Sequence, residues 1–236
     1  IADLEQLPVP FVMVDRTIDA LDCDKVTFNN ELGGYLATKY LLEHGHRRIA
    51  CMVNTASNTG CARLNGYVRA LGEKGLELDQ SLVLTSDYYI PDAYLAAHQL
   101  IRVNATAVVA TSDNIALGLL RYLYERGLHV PRDYSVVGYD NSISDALFEP
   151  ALTSIEQNVD ELSDAALSIM FRRLGERGAD VVQGAAAEAV AMQVAATQLV
   201  AAGKNNGIEA QDDSASIQII LEPRMIEKNS VRVLDC

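Results

Sequence analysis

The sequence predicts an α/β protein built on a parallel sheet. Short apolar runs alternate with segments of helical periodicity between residues 9 and 140, and the connections between them are short. Several of the apolar runs end at polar residues, as the run before Asp140-Asn141 does. Alternation of this kind is typical of a parallel sheet that is covered by helices on both faces.

Strands are predicted wherever a short run of apolar, β-branched or aromatic residues is bounded by polar or turn-forming residues. In chain order, these runs are 9–14, 25–28, 49–53, 81–85, 106–110, 135–139 and 217–221. Residues 150–157 also look extended, and they follow Asp140, after which the regular alternation breaks. Gly138 leaves space beside the end of the run 135–139, so that a backbone or a ligand can approach closely.

Helices are predicted where apolar residues recur at steps of three and four. In chain order, these segments are 31–44, 62–74, 91–101, 114–126 and 159–174. Gly45, Gly75 and Gly127 follow three of them, in the position where glycine commonly ends a helix. Asp113 is predicted to cap the helix at 114–126, and Pro91 lies in the first turn of the preceding helix.

The composition limits the function classes. The chain has 236 residues, of which 49% are hydrophobic and 22% charged, enough for one large domain or two lobes. A net charge of −13 argues against this chain binding DNA by itself, because phosphate binding requires a basic face. No run approaches a membrane span, and the first residues do not resemble a signal peptide. The cysteines share no metal-ligand spacing and favour a reducing, cytoplasmic setting; they are Cys23, Cys51, Cys61 and Cys236.

A tract at 175–216 differs in composition from the rest of the chain. Residues 184–203 are rich in Ala, Val and Gln, and they carry an apolar stripe at helical spacing. The stripe would either pack on its own lobe or form an oligomer contact. Residues 204–216 have the composition of a loop.

The sequence contains no motif of a common enzyme class. It has neither glycine-rich phosphate loop nor the G-x-S-x-G turn of the α/β-hydrolases. No nucleophile–base pair and no cluster of metal ligands is apparent. The four histidines lie without a paired partner at 44, 46, 98 and 129. We therefore expect no metal, no cofactor and no enzymatic activity.

Polar residues gather instead where the predicted strands end. Because the carboxyl ends of parallel strands meet at one edge of a sheet, these residues are expected to lie close together. A carboxylate accepts hydrogen bonds from neighbouring hydroxyls and a guanidinium donates several in one plane, which suits a polyhydroxyl ligand. An aromatic such as Tyr88 would stack on a sugar or a base. The residues concerned are Asp15, Arg16, Asn29, Asn30, Ser57, Thr59, Arg63, Tyr88, Ser112, Asp113, Asp140 and Asn141.

Each of these residues also has a plain structural interpretation. Asn30 and Asp113 would cap helices, Arg63 would form a surface ion pair, and Tyr88 would pack within its lobe. Asp140-Asn141 would simply begin a turn. Their convergence on one predicted sheet edge is what favours a binding site.

Seven stretches, in this order and at similar spacing, resemble the LacI/GalR (lactose-repressor) family of bacterial transcription regulators. Any one of them is a weak signal, whereas the seven together cover nearly the whole chain. They are Val9 to Arg16, Gly33-Gly34 with His44 to Ala50, Arg63 to Tyr67, Ala107 to Gly118, Gly127 to Asn141, Pro150 to Ile155, and Arg224 to Ser230.

This resemblance implies a two-lobed, periplasmic-binding-protein-like (type I) fold with parallel sheets and an incomplete first lobe. By the likeness, residues 1–46 and 156–216 form the first lobe, whereas 47–155 and 217–236 form the second. The tract at 175–216 is longer than the corresponding link of the family. The family's helix-turn-helix head is absent, so operator DNA would be bound only through a part outside this sequence.

The resemblance also implies an effector held between the lobes by Arg63 and Asp140, with Tyr88, Ser57 and Thr59 beside it. The effector would be a sugar or a nucleoside-like molecule, and the regulator a cytoplasmic homodimer. Two further candidates depart from the family pattern. Ser112-Asp113 stands where the family usually has Asn-Asp, and Asn29-Asn30 where it has Asp-Asn.

Two other functions remain open from the sequence. A sugar-binding protein of a transport system shares the two-lobed fold, although the thiols and the missing export signal count against it. An α/β enzyme acting through the strand-end carboxylates Asp15 and Asp140 is the other.

Overall fold

The computed structural model of the protein describes residues 1–7, 9–142, 150–178 and 216–234. The chain divides into two compact units, of which unit 1 comprises Ile1–Thr27 and Asn158–Leu221. Unit 2 comprises Phe28–Gln157 and Glu222–Cys236. The chain therefore passes from one unit to the other three times. No described helix is both long and apolar enough to span a bilayer.

Unit 1 is organised around a small sheet. Strands β1 (Val12–Val14) and β2 (Asp24–Phe28) pair in parallel, and β8 (Gln218–Leu221) lies on the other side of β2. The unit also contains the short helix α1 (Ala2–Glu5) and the long helix α6 (Val159–Gly178), which packs on β1 and β8.

A buried carboxylate joins the parts of unit 1. Asp24 accepts two hydrogen bonds of 2.8 Å from the Arg173 guanidinium and one of 2.7 Å from the backbone N–H of Ile217. Burial alone would raise the pKa of Asp24, but the bonds from Arg173 and Ile217 outweigh it and lower that pKa. The ionised carboxylate thus connects β2 with α6 and with the residue that precedes β8.

Unit 2 contains a six-stranded sheet in the order β4-β3-β5-β6-β7-β9. Neighbouring strands from β4 to β7 pair in parallel, whereas β9 is antiparallel to β7. The strands are β3 (Ile49–Val53), β4 (Val83–Thr85), β5 (Ala107–Ala110), β6 (Ser135–Asp140), β7 (Ser154–Glu156) and β9 (Arg224–Ile226). The helices are α2 (Asn30–Glu43), α3 (Asn58–Glu73), α4 (Ile90–Ala96) and α5 (Asp113–Glu125), with 3₁₀ turns at Gln80–Leu82 and Ala97–Arg102.

The core of unit 2 lies on both faces of this sheet. Successive residues of a strand point to opposite faces, so that Met52 packs with α4 and α5 whereas Cys51 packs with α2 and α3. Both side chains are completely buried, as is the whole of β3. A strand buried on both faces reads as a continuous apolar run, which is how the sequence presents it.

Helices α2 and α3 approach each other closely where glycines face the partner backbone. A Cβ at Gly34 would overlap the backbone of Arg63, and one at Gly66 would overlap the carbonyl of Glu31. Small residues at such crossings allow two helices to touch backbone to backbone. The crossing fixes the position of Arg63 along α3 relative to the start of α2.

The predicted parallel sheet with helices on both faces is confirmed in unit 2, and most predicted elements are found within a few residues. Several elements differ, among them the unpredicted helix α1 and the 3₁₀ turn at Gln80–Leu82, which overlaps the strand predicted at 81–85. Helix α3 begins at Asn58, four residues before its predicted start at 62, because Ser57 caps it. The helix predicted at 91–101 is α only to Ala96 and continues as 3₁₀. Strand β9 was not predicted.

The division into units also differs from the predicted lobes. Residues 28–46 were assigned to the first lobe, but α2 packs on α3 and buries Ala37 and Leu41 in the core of unit 2. Strand β8 was assigned to the second lobe, but it pairs with β2, and Lys25 N–H donates to the carbonyl of Ile217 at 2.9 Å. The Ala-rich stripe predicted within 184–203 lies outside the described residues, as does Cys236.

Candidate functional site

The carboxyl ends of the strands of unit 2 lie along one edge of the sheet, because neighbouring strands from β4 to β7 run parallel. Each strand is followed there by polar residues, as the sequence predicted. The candidate residues of unit 2 that lie at this carboxyl edge come from three strand ends, from the start of α2 and from the first two turns of α3 with its cap. They are Asn29, Asn30, Ser57, Thr59, Arg63, Tyr88, Ser112, Asp113, Asp140 and Asn141.

Arg63 is buried at this edge and is not the surface residue of the plain structural interpretation, since only 5% of it is exposed. Its Nε donates to Oδ1 of Asn30 at 2.8 Å, and its Nη1 donates to the carbonyl of Thr111. The guanidinium carbon lies 3.7 Å from the centre of the Tyr139 ring. Stacking and hydrogen bonds together hold the guanidinium in one plane.

Asp140 lies next to Arg63, with 3.8 Å between its Oδ1 and Nη1 of the guanidinium. One third of the Asp140 side chain is exposed, so its carboxylate can be reached from solvent. Its backbone φ is +100°, and that of Asn141 is +51°. Two consecutive side-chain-bearing residues in the left-handed region are unusual, and backbone strain of this kind is concentrated at functional sites.

Bonds to two segments hold the turn after Asp140. The backbone N–H of Asn141 donates to Ser154 Oγ at 3.2 Å, and its side-chain amide donates to Glu156 at 3.1 Å. The ammonium of Lys228 donates to the Asn141 side-chain oxygen at 2.9 Å. The strained conformation is therefore held in place by β7 and by the segment after β9.

Asp113 has a different role from the one predicted. Ser112 caps α5 by accepting from the N–H of Ile115 at 3.2 Å, whereas the Asp113 carboxylate points to the ends of β6 and β7. Its two oxygens accept from the N–H of Tyr139 and the hydroxyl of Ser154, and from the N–H and hydroxyl of Ser142. Only 2% of Asp113 is exposed, so this carboxylate serves the fold.

Three hydroxyl groups meet further along the same edge. The Tyr88 hydroxyl lies 2.8 Å from Ser57 Oγ and 3.3 Å from Thr59 Oγ1, and those two oxygens are 2.9 Å apart. Ser57 also caps α3 by accepting from the N–H of Gly60 at 2.9 Å. The side chains are half-buried, so the predicted grouping of Tyr88, Ser57 and Thr59 is found as a cluster of neutral hydroxyls.

Two other predicted site residues act as helix caps. Ser112 is the one described above, and Asn29 accepts from the N–H of Leu32 at 3.0 Å at the start of α2. The neighbouring Asn30, not Asn29, contacts Arg63 and is 92% buried. No feature of the sequence distinguishes the two asparagines, because both follow β2 directly and either could cap the helix.

Asp15, a candidate of the enzyme alternative, belongs to unit 1, whereas Asp140 belongs to unit 2. Asp15 has a φ of +64°, and its N–H donates to the Val26 carbonyl at 2.9 Å. A recess of about 360 Å³ lies on the sheet of unit 1, and it is lined by Thr17, Asp19, Lys25, Thr27 and residues 218–220. Within the described residues, no group of three or more His, Cys, Asp or Glu is arranged to hold a metal ion.

Comparison with known sequences identifies a domain and a group of relatives. Residues 38–191 match the model of a periplasmic binding protein-like domain. The HTH-type transcriptional repressor PurR of Vibrio atlanticus is 37% identical over 172 residues, which are 72% of this chain and 52% of the repressor. The PurR repressor of Pasteurella multocida is 33% identical over 172 residues, which again are 72% of this chain and 52% of the repressor. The chain thus spans about half the length of these relatives.

Comparison with solved structures agrees. A LacI family transcriptional regulator from Enterococcus faecium with bound ribose superimposes with a TM-score of 0.75 at 26% identity, over 96% of this chain and 72% of the regulator. The complex of the transcriptional regulator CelR with cellobiose gives a TM-score of 0.68 at 27% identity, over 94% of this chain and 59% of that one. Both structures contain a sugar.

Proposed function

This chain belongs to the periplasmic binding protein-like domain family, in its LacI/GalR branch, and we propose that it is the effector-sensing core of a transcriptional regulator. The effector is a small polyhydroxyl molecule, either a sugar or a nucleoside. Arg63 and Asp140 bind it at the carboxyl edge of the sheet of unit 2, and Tyr88, Ser57 and Thr59 contact it there. The chain needs no cofactor for this function and performs no chemistry.

The observation that supports this proposal best is the pairing of a buried guanidinium with a reachable carboxylate. Asp140 can accept hydrogen bonds from two ligand hydroxyls, and a bond to a charged group contributes about 1.5–3 kcal/mol. The Arg63 guanidinium is already held in plane by Asn30 and Tyr139, so little conformational entropy is lost on binding. The neutral hydroxyl cluster around Tyr88 matches a ligand that both donates and accepts.

Binding would be converted into regulation by a difference in affinity between two conformations of the core. An effector can shift such an equilibrium only to the extent that it binds one conformation more tightly. The same coupling would change operator affinity of the part of the protein that lies outside this chain. The net charge of −13 agrees with DNA contacts being made by that other part.

We also propose that the core forms a homodimer in the cytoplasm. Large apolar side chains are exposed on and beside α4 and on α5, including Leu95, Tyr89 and Tyr124, which are 64%, 68% and 83% exposed. Exposed apolar side chains on two helices that pack together offer a surface for a second copy of the chain. Light scattering after size-exclusion chromatography should give the mass of a dimer, and Tyr124→Glu should shift it toward a monomer.

The test of the function is a thermal-shift screen of D-ribose, cellobiose, other neutral sugars and nucleosides, followed by calorimetric titration of each hit. Asp140→Gly is the sharpest variant, because glycine adopts a φ of +100° without strain while the carboxylate is lost. We expect it to lower affinity at least 100-fold and to leave the ligand-free melting temperature within a few degrees.

Asp92→Ala is the matched control, since Asp92 is an exposed carboxylate in the first turn of α4. It should bind every hit as the parent chain does. A screen without any hit, or a hit that Asp140→Gly binds with parental affinity, would remove the proposed site.

A further inference from the structure

We propose that Asn30, Gln157 and Lys228 are positioning residues, which connect Arg63 and the Asp140 turn to the three points where the chain passes between the units. This inference rests on the proposed function, because it concerns how the same site is coupled to the rest of the chain. The residues do not need to touch the effector themselves. They hold the two groups that do.

The passing points follow from the division of the chain. It enters unit 2 at Phe28, leaves it after Gln157 and enters it again at Glu222. Asn30 thus lies two residues inside the first point, and Gln157 is the last residue before the second. Lys228 lies six residues inside the third, immediately after β9 and the single residue Glu227.

The side chain of Asn30 connects Arg63 by hydrogen bonds to the first and second of these points. Oδ1 of Asn30 accepts both from Arg63 Nε at 2.8 Å and from the Gln157 side-chain amide at 3.4 Å. The Asn30 amide nitrogen in turn donates to the Phe28 carbonyl at 3.1 Å. A shift of the backbone at either point therefore moves the acceptor on which the guanidinium depends.

The Asp140 turn is bonded to the third point. Lys228 donates its ammonium to the side-chain oxygen of Asn141 at 2.9 Å and its backbone N–H to Thr153 Oγ1 at 2.9 Å. Asn141 is the second of the two residues of positive φ. Because such a turn persists only where its surroundings hold it, the bond from Lys228 helps to keep the Asp140 carboxylate beside Arg63.

Together, Arg63 and the Asp140 turn are therefore linked to all three passing points by side-chain bonds within unit 2, Arg63 to the first two and the turn to the third. The helix–sheet core around them is buried, and a closely packed interior transmits strain, so that a backbone change at these points is passed on to the site. By reciprocity, a ligand that fixes Arg63 and Asp140 also restricts these three segments.

The first experiment needs no ligand. Amide hydrogen exchange of the chain is compared with that of Lys228→Met, which keeps the length of the side chain but removes its donor. We expect the amides of Asn141 and Ser142 to exchange on the order of tenfold faster, with the denaturation midpoint unchanged. Lys228→Arg retains a donor and should restore slow exchange. Lys74→Met, at an exposed lysine that follows α3, is the matched control.

Two outcomes would overturn the proposal. Exchange at Asn141 and Ser142 that is the same in Lys228→Met as in the parent chain would show that the turn does not depend on this bond. Faster exchange throughout unit 2, without rescue by Lys228→Arg, would show a general structural role.

A second experiment follows Arg63 directly, through the NMR signal of its Nε–H. Asn30→Asp keeps an acceptor for that proton, whereas Asn30→Leu removes it. We expect the signal to be slowly exchanging in the parent chain and in Asn30→Asp, and fast in Asn30→Leu. Equal exchange in Asn30→Leu and the parent chain would contradict the role of Asn30.

Titration with D-ribose and cellobiose then separates this inference from the proposed function. If either sugar binds, Lys228→Met should weaken it about tenfold, and parental affinity in that variant would overturn the coupling. If neither sugar nor any other member of the screen binds, the proposed function fails, while the exchange measurements still decide whether these residues position Arg63 and the turn.

Discussion

The two edges of the six-stranded sheet carry different kinds of polar group. At the amino edge, His46 is fully buried before β3, with Nδ1 2.9 Å from Thr106 Oγ1 and Nε2 3.2 Å from the Arg232 carbonyl. Ser230 is buried as well, and it accepts from Thr153 N–H at 2.8 Å and donates to the Val136 carbonyl. At the carboxyl edge, by contrast, Asp140 is one-third exposed.

The difference shows how one edge of a sheet can be covered by the chain itself while the other edge remains open to a ligand. The C-terminal segment 230–234 covers the amino edge, where its backbone and side chains complete the hydrogen bonds of buried groups. The carboxyl edge has no such cover among the bonds described, and its polar side chains come from separate loops. A buried polar group stabilises the fold only when its partners are built in, whereas a reachable one can exchange water for a ligand.

Asp113 provides a test of this comparison. It lies at the carboxyl edge, but it is buried and hydrogen-bonded within the fold, as the polar groups of the amino edge are. Asp113→Ala leaves the buried backbone N–H of Tyr139 without its acceptor, and it also removes the acceptor of the Ser142 N–H. We expect a loss of about 3–5 kcal/mol in the free energy of unfolding, measured by urea denaturation. Asp140→Gly should lose less than about 1 kcal/mol in the same assay.

The exposed Asp92 again provides the control, since Asp92→Ala should cost no more than about 0.5–1 kcal/mol. If Asp113→Ala cost as little, the burial of this carboxylate would not mark a structural role, and the distinction between the two aspartates would fail.

Sequence reasoning predicted the architecture of unit 2 from rules that act along the chain, whereas the pair Arg63 and Asp140 came from the resemblance to the LacI/GalR family. Alternating strands and helices imply a parallel sheet, and residues at the carboxyl ends of its strands must meet. Whether a ligand binds the pair remains a proposal.

The remaining details depend on contacts that no local pattern encodes. Ser112 and Asp113 are both good helix caps, and only the position of β6 and β7 decides that the aspartate bonds to strands. The boundary between the units follows from the packing of α2 on α3, which a strand–helix–strand pattern leaves open. The strand β9 is too short, at three residues, to give a periodic signal.

The crossing of α2 and α3 positions Arg63 at the carboxyl edge, and a substitution at Gly34 tests this. Gly34→Ala would place a methyl group against the backbone of Arg63, which cannot move aside as a flexible side chain can. We expect a loss of about 1–3 kcal/mol in unfolding free energy from this overpacking, together with weaker ligand binding because Arg63 is displaced. Urea denaturation and titration with a hit from the screen measure the two effects.

Gly72→Ala is the matched control, since it lies near the end of α3 with no atom within 4 Å of the added Cβ. It should stabilise the chain by about 0.5–1 kcal/mol, because alanine is the better helix former. Equal effects at Gly34 and Gly72 would mean that the helix crossing does not constrain the edge.

The last prediction concerns the amino edge, where the closed arrangement should make stability depend on pH. Burial lowers the pKa of His46 below its usual value of about 6.5. The hydrogen bond to the Arg232 carbonyl raises that pKa by less, and the charge of the Arg232 side chain lowers it further. The unfolded chain therefore binds more protons than the folded chain around and below that pH. Stability is full above about pH 6.5 and falls as the pH drops further, by at most about 1.4 kcal/mol per pH unit from this group.

Urea denaturation at pH 7.5 and pH 5.5 measures the loss, and His46→Gln isolates the contribution of His46. Glutamine can accept from Thr106 and donate to the Arg232 carbonyl, but it does not titrate in this range. We expect the parent chain to lose more stability than His46→Gln between the two values, since groups elsewhere titrate alike in both. An equal loss in the two proteins would show that His46 accepts its proton without cost, and the amino edge would then not be the closed region that the comparison requires.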